Sequence, residues 1–181
     1  MPIQIEDLPL RGLRLITPAV HADARGYFFE LHHQSRFAEL GLPDALVQDN
    51  VSRSGRDVLR GLHFQAPGWQ GKLVSVLQGE IFDVAVDLRR DSPTFGRSHA
   101  VWLSEENHRQ LWVPPGFAHG FCVTSDEARV LYKCSAFYEP TQEHTLLWND
   151  PDLGISWPVA RPLVSEKDAR GKRLRELPLA G

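Results

Sequence analysis

A chain of 181 residues, 42% hydrophobic and 24% charged, has the balance of an ordinary globular protein and is long enough to build a core without disulfide or metal staples. Its formal net charge of -3 gives no overall basic field for nucleic acid or an anionic membrane, so an anion site has to be a local cluster of Arg and Lys. No stretch approaches about eighteen apolar residues and no basic-then-apolar leader opens the chain, so a cytoplasmic protein with neither membrane span nor signal peptide is expected.

Taken in order, residues 13–16 and 27–32 read as early strands around a turn at residues 21–26. A helix is expected over 35–40, with Ser35 as N-cap and Gly41 as the stop. Strands follow at 47–52, 58–65, 72–77, 80–88, 99–103, 110–113, 120–124, 129–138 and 145–148, and a helical turn starts at Ser165. Short strands with Gly and Pro turn signals every ~8–12 residues indicate a sandwich, jelly roll or barrel. No repeat or linker interrupts them, so residues 1–181 are read as a single all-β domain. The two cysteines, Cys122 and Cys134, lack metal spacing and read as buried reduced thiols.

The stretch from Gln48 to Asp87 is unusually charged for sequence that reads as sheet, with Arg60, His63 and Lys72 between apolar runs. An unpaired buried charge is costly, so these side chains point to a strand edge or to a pocket for a polar, anionic ligand. A two-residue loop at Gln78-Gly79 would make a hairpin that pairs Leu77 with Glu80 and Leu73 with Val84. That register sets Lys72 diagonal to Asp83 and Asp87 on one face. Strict alternation would separate Arg60 from His63, so a β-bulge near Gly61 is expected to turn both inward.

Several residues are equipped for acid–base chemistry. His63, between Leu62 and Phe64, suits a neutral base, and His119 sits where a Pro-Pro-Gly turn meets a strand. Tyr132 and Tyr138 share parity on the strand expected at 129–138; each is a proton donor or a flat stacking surface. Asp168 is placed to orient a histidine from its second nitrogen. A metal is disfavoured: Gly61 and Gln65 flank His63 at two residues' distance, and consecutive His32 and His33 face opposite ways in a strand.

Together the motifs carry a resemblance. Asp23-x-Arg25-Gly26-x-Phe28-x-Glu30, Gln48-Asp49-Asn50, Arg60-Gly61-Leu62-His63-Phe64-Gln65 and Gly71-Lys72-Leu73-Val74 occur in order. Ser92-Pro93-Thr94-Phe95-Gly96, Pro115 to Phe121, Tyr132-Lys133, Trp148-Asn149-Asp150 and Ser165-x-Lys167-Asp168 complete the series. From about residue 3 to 170 the chain resembles the dTDP-4-dehydrorhamnose 3,5-epimerase family, metal-free cupin-type jelly-roll barrels with a few short helices.

The resemblance implies no cofactor, a dTDP-4-dehydro-6-deoxysugar substrate and a homodimer. It also implies roles: His63 as base with Asp168 orienting it, Tyr132 as acid from the opposite face, and Lys72 beside the C4 oxygen. Arg25 and Arg60 match diphosphate contacts, and Tyr138 matches the residue that stacks on thymine. Glu30, Gln48, Asn50, His119, Glu143 and Lys167 match other ligand-contacting positions. The alternatives are an epimerase acting at C3 or C5 alone and, from a different class, a nucleotide-sugar binding module without turnover.

Overall fold

Strands, the central ones buried along nearly their whole length, sort into two large antiparallel sheets in the computed structural model, which describes residues 3–43 and 45–177. In chain order they are β1 (Gln4–Asp7), β2 (Arg14–Thr17), β3 (His21–Asp23), β4 (Gly26–Phe28), β5 (Gln48–Gly55), β6 (Leu59–Gln65) and β7 (Lys72–Gln78). Then come β8 (Glu80–Asp87), β9 (Ser98–Ser104), β10 (Gln110–Val113), β11 (Phe117–Val123), β12 (Glu127–Cys134) and β13 (Glu143–Thr145). One sheet runs β1-β2-β10-β7-β12-β5 and the other β13-β6-β11-β8-β9, while β3 and β4 form a separate hairpin. This is an all-β, cupin-type jelly roll with only short helices, α1 (Gln34–Glu39) and α2 (Glu166–Ala169), and brief 3₁₀ turns.

Three apolar layers hold it together. Val74 and Val76 of the six-stranded sheet meet Ile81, Ala85 and Phe121 of the five-stranded sheet inside the sandwich. The outer face of the six-stranded sheet places Ile16, Leu73 and Trp112 under Phe37 of α1 and Leu42. The outer face of the five-stranded sheet is covered by the C-terminal segment, where Leu153 and Leu177 pack on Val84, Val86 and Ala118. Each such side chain contributes about 1.5–3 kcal/mol on burial, enough to bind the segment beyond Asp168 firmly to the barrel.

Three sequence expectations need correction. β7 and β8 do not form a hairpin: β7 pairs with β10 and β12, and β8 pairs with β9 and β11. Gly79, at φ +76, turns the chain from one sheet into the other, where a Cβ would collide with the Glu127 carbonyl. Lys72 and Asp83 therefore sit on opposite sheets, and Asp87 is engaged elsewhere by Arg89, Ser92 and Thr94. The N-cap of α1 is His33, whose Nδ1 accepts the Arg36 N–H at 3.4 Å, while the Ser35 hydroxyl bonds that same nitrogen. Finally, β12 ends at Cys134, so Tyr138 lies in the following loop and not on a strand with Tyr132. Among the described residues no helix is long and apolar enough to cross a membrane.

Candidate active site

Between the sheets lies a cavity of about 330 Å³ with one wall from each. Residues directly opposite in a ladder share a face, and this builds the first wall in rows. On the six-stranded sheet Gln48, Cys134 and Lys72 align, then Asn50, Tyr132 and Val74, then Ser52, Val130 and Val76. Burial pushes the Lys72 ammonium below the ordinary lysine range, with the neighbouring Cys134 and Glu143 acting the other way. Burial also raises the Tyr132 phenol, assisted by Cys134 and opposed by Arg60. Lys72 has no carboxylate within ion-pair distance among the described residues. This wall sets a partly buried ammonium, with no carboxylate partner among the described residues, beside a phenol that keeps its proton.

The second wall is built on β6, β11 and β13. His63 stands opposite His119 in the ladder, and the register then slips: Arg60 pairs with Phe121, so two β6 residues face one of β11. That bulge at Gly61 and Leu62 brings Arg60 and His63 to the same cavity, as the sequence suggested. Gly61 is needed there, since a Cβ would lie 2.7 Å from the Gly120 Cα.

Both histidines rest on buried carboxylates. His63 Nε2 is 2.6 Å from Asp168 Oδ1, and the Gly61 N–H donates to Asp168 Oδ2 at 3.2 Å. Burial works to raise the Asp168 carboxyl, but its bonds from His63, Gly61 and the capping Ser165 hold it below the usual range. An ionised Asp168 only accepts, so Nε2 carries the hydrogen and the lone pair of neutral His63 resides on Nδ1. Ser165 caps α2 by accepting the Asp168 N–H at 3.1 Å, which is how the sequence delivers this carboxylate to β6. His119 Nε2 lies 2.9 Å from both oxygens of fully buried Asp83.

At the mouth, the Tyr138 hydroxyl donates to Glu143 Oε2 at 2.8 Å, and Lys167 Nζ meets the same oxygen at 2.6 Å. Of the residues singled out from sequence, the cavity gathers Gln48, Asn50, Arg60, His63, Lys72, His119, Tyr132, Tyr138 and Glu143. Asp168 stands behind His63 and Lys167 behind Glu143. Arg25 and Glu30 do not join them. Arg25 is in the β3–β4 hairpin, its side chain 89% exposed and bonded only to Asp23, and Glu30 pairs with Arg36. Sequence reasoning passed over Ser52, Gln65, Gln70 and Cys134, which also line the cavity. Three of these are two residues from a chosen one (Asn50, His63, Tyr132), so strand parity alone would have found them. Among the described residues no three His, Cys, Asp or Glu side chains converge as a metal-ligand set.

Comparison with known proteins agrees with this geometry. A family model described as dTDP-4-dehydrorhamnose 3,5-epimerase matches residues 7–176. The dTDP-4-dehydrorhamnose 3,5-epimerase of Pseudomonas aeruginosa is 56% identical over 167 residues, covering 91% of this chain and 92% of that one. The protein of the same name from Neisseria gonorrhoeae is 50% identical over 171 residues, 94% of this chain, which spans 52% of that relative's length. Among solved structures, the dTDP-6-deoxy-D-glucose-3,5-epimerase of Legionella pneumophila, in complex with dTDP-4-keto-L-rhamnose, matches with a TM-score of 0.94 and 48% identity. The match covers 97% of this chain and 94% of that one.

Proposed function

The chain belongs to the dTDP-4-dehydrorhamnose 3,5-epimerase family, and from that premise we propose that it converts dTDP-4-dehydro-6-deoxy-D-glucose to dTDP-4-dehydro-L-rhamnose. Such an isomerase inverts C3 and C5 on either side of a C4 ketone, and the ketone makes both protons acidic. No redox step is required. His63 removes one proton through its free nitrogen, and the electron pair moves onto the C4 oxygen. Lys72 stabilises that enolate from the facing wall, where partial burial strengthens a fixed charge relative to bulk water. Tyr132 then returns a proton to the opposite face, and solvent exchange restores both groups before the second carbon reacts. Asp168 keeps His63 in the required tautomer throughout.

One observation carries this reading: His63 and Tyr132 belong to opposite sheets and face one cavity. A base and an acid on the same side would exchange protons without inverting the carbon. A binding module needs neither group, nor a carboxylate behind the histidine. Incubating the protein with dTDP-4-keto-6-deoxyglucose in heavy water, followed by proton NMR, tests the assignment. Deuterium and inversion at both C3 and C5 are expected, whereas deuterium at one carbon alone would make it a monoepimerase.

Arg60, held by the Ser54 hydroxyl at 2.8 Å, supplies the diphosphate grip from within the chain. Arg25 serves the same ligand as part of a homodimer. In support, every residue of the β3–β4 hairpin is exposed, Phe28 by 72%, and an isolated two-stranded hairpin needs a covering surface to be stable. Edge strand β1 offers a further pairing surface. Light scattering is expected to give a dimer mass, and Arg25→Ala to raise KM; a monomer with unchanged KM would defeat this part. The reading also takes residues 1–181 as one epimerase domain in the cytoplasm, consistent with two buried, unpaired thiols at Cys122 and Cys134.

A further inference from the structure

Tyr138 reaches the cavity from a loop, residues 135–139, that belongs to no strand or helix. Holding an aromatic ring in one pose from such a loop requires its backbone groups to be answered by something fixed. Here the answers come from glutamine carboxamides. Gln70 Nε2 donates to the Ala136 carbonyl at 2.7 Å, and Gln65 Nε2 to the Phe137 carbonyl at 3.2 Å. Gln48 Oε1 accepts the Tyr138 N–H at 2.8 Å, and Gln65 Oε1 accepts the Glu139 N–H at 2.8 Å. Four consecutive residues are thus gripped, by side chains rooted in β5, in β6 and in the segment before β7.

The residue type fits the task. Two carbonyls and two N–H groups need donors and acceptors together, and an uncharged carboxamide supplies both beside a cavity built for an anion. Gln65 is the centre of the set. It is buried to 4% exposure and also donates to the Gly68 carbonyl at 2.5 Å. Gly68 leaves room for this: its N–H bonds Gln142 Oε1 at 2.8 Å, and a Cβ there would collide with that oxygen and sit 3.3 Å from Gln65 Nε2.

We propose that Gln65, with Gln48 and Gln70, is a positioning residue for recognition of the pyrimidine base, acting through the Tyr138 loop and not on the reacting sugar. The inference rests on the reading above in which Tyr138 stacks on the base. Titration calorimetry with dTDP and with inorganic diphosphate separates the two, using wild type, Gln65→Ala, Tyr138→Ala and the double variant. Gln65→Ala is expected to weaken dTDP about tenfold, the scale of two lost hydrogen bonds. It should leave diphosphate affinity unchanged, raise KM more than it lowers kcat, and add nothing in the Tyr138→Ala background. Gly68→Ala, whose Cβ would collide with Gln142 and press on the Gln65 carboxamide without truncating it, should weaken dTDP in the same direction and decides the matter if Gln65→Ala does not fold. Additive losses in the double variant, or a Gln65→Ala protein binding dTDP as wild type does while Tyr138→Ala is impaired, would overturn the positioning role and leave the stacking reading standing. Unchanged dTDP affinity in Tyr138→Ala would instead remove the stacking reading, and this inference with it.

Discussion

The two walls of the cavity solve opposite problems. On the five-stranded sheet, His63 and His119 are each tied to a buried carboxylate, so their orientation is set before any ligand arrives. On the six-stranded sheet, Lys72 and Tyr132 are shifted chiefly by burial and lack such a partner among the described residues. The first wall is organised by histidine–carboxylate pairs, whereas on the second a partly buried cation is left without a carboxylate among the described residues. A base needs a fixed tautomer and direction, whereas an enolate-stabilising cation acts best where water cannot screen it. The difference teaches that one sandwich interior can hold both kinds of group if each sheet carries one kind.

The contrast is broken most severely at the oriented wall. His63→Ala is expected to lower kcat by about 10²–10⁴ while dTDP affinity stays near wild type. Steady-state kinetics beside calorimetry checks this, and full activity would remove the base assignment. Tyr132→Phe leaves the base in place, so deuterium wash-in from heavy water should continue while inversion falls, by about 10²-fold or more. Equal loss of exchange and inversion would show that the phenol is needed for proton removal as well.

The wall that carries Lys72 has a signature of its own. Lys72→Met should lower turnover by about 10²-fold yet leave the protein as stable or more so, by about 1 kcal/mol, because a desolvated, unpaired charge is removed. Since burial lowers the Lys72 pKa, the alkaline limb of kcat should fall earlier than an ordinary lysine would allow, and Lys72→Arg should move that limb upward. A lower melting temperature for Lys72→Met would contradict the account of a partly desolvated, unpaired charge.

The smallest effect concerns a carboxylate tether outside the cavity. Asp87 is buried, which by itself would raise its pKa, but bonds from Arg89, Ser92 and Thr94 bring it down to about 2 from 3.8. Its folded pKa lies below the unfolded one, so its stabilisation is present above pH ~4 and is lost as pH falls toward 2; the difference is worth roughly 2 kcal/mol. Asp87→Asn should flatten the acid limb of a stability curve without altering the pH dependence of kcat. A changed kcat profile would show that this tether is coupled to the site.

Much of this was legible in the residues. The ordered motifs carried the family and seven of the nine chosen cavity residues, the resemblance added Tyr138 and Glu143, and Gly61 between Arg60 and His63 predicted the bulge that aligns them. What failed did so for a common reason: a local pattern reports a period, not a partner. The turn signal at Gln78-Gly79 was real, but it marks a passage between sheets, because both edges of β7 and both edges of β8 are already paired with other strands. Tyr138 kept strand parity with Tyr132 on paper, yet its loop is shaped by glutamines from distant positions. Arg25 and Glu30 carry family motifs but do not line this cavity.

The sequence by itself determined which groups are available, a base, a phenol, a buried cation and carboxylates to hold them, because side-chain chemistry and alternation are local properties. Only the tertiary structure decided that His63 and Tyr132 face one cavity from different sheets, that Asp168 arrives behind His63 from 105 residues away, and that Lys72 is left partly buried with no carboxylate partner among the described residues. Those are properties of long-range strand pairing, where the free energy of burying a whole face selects the partner, and no short stretch of chain contains that information.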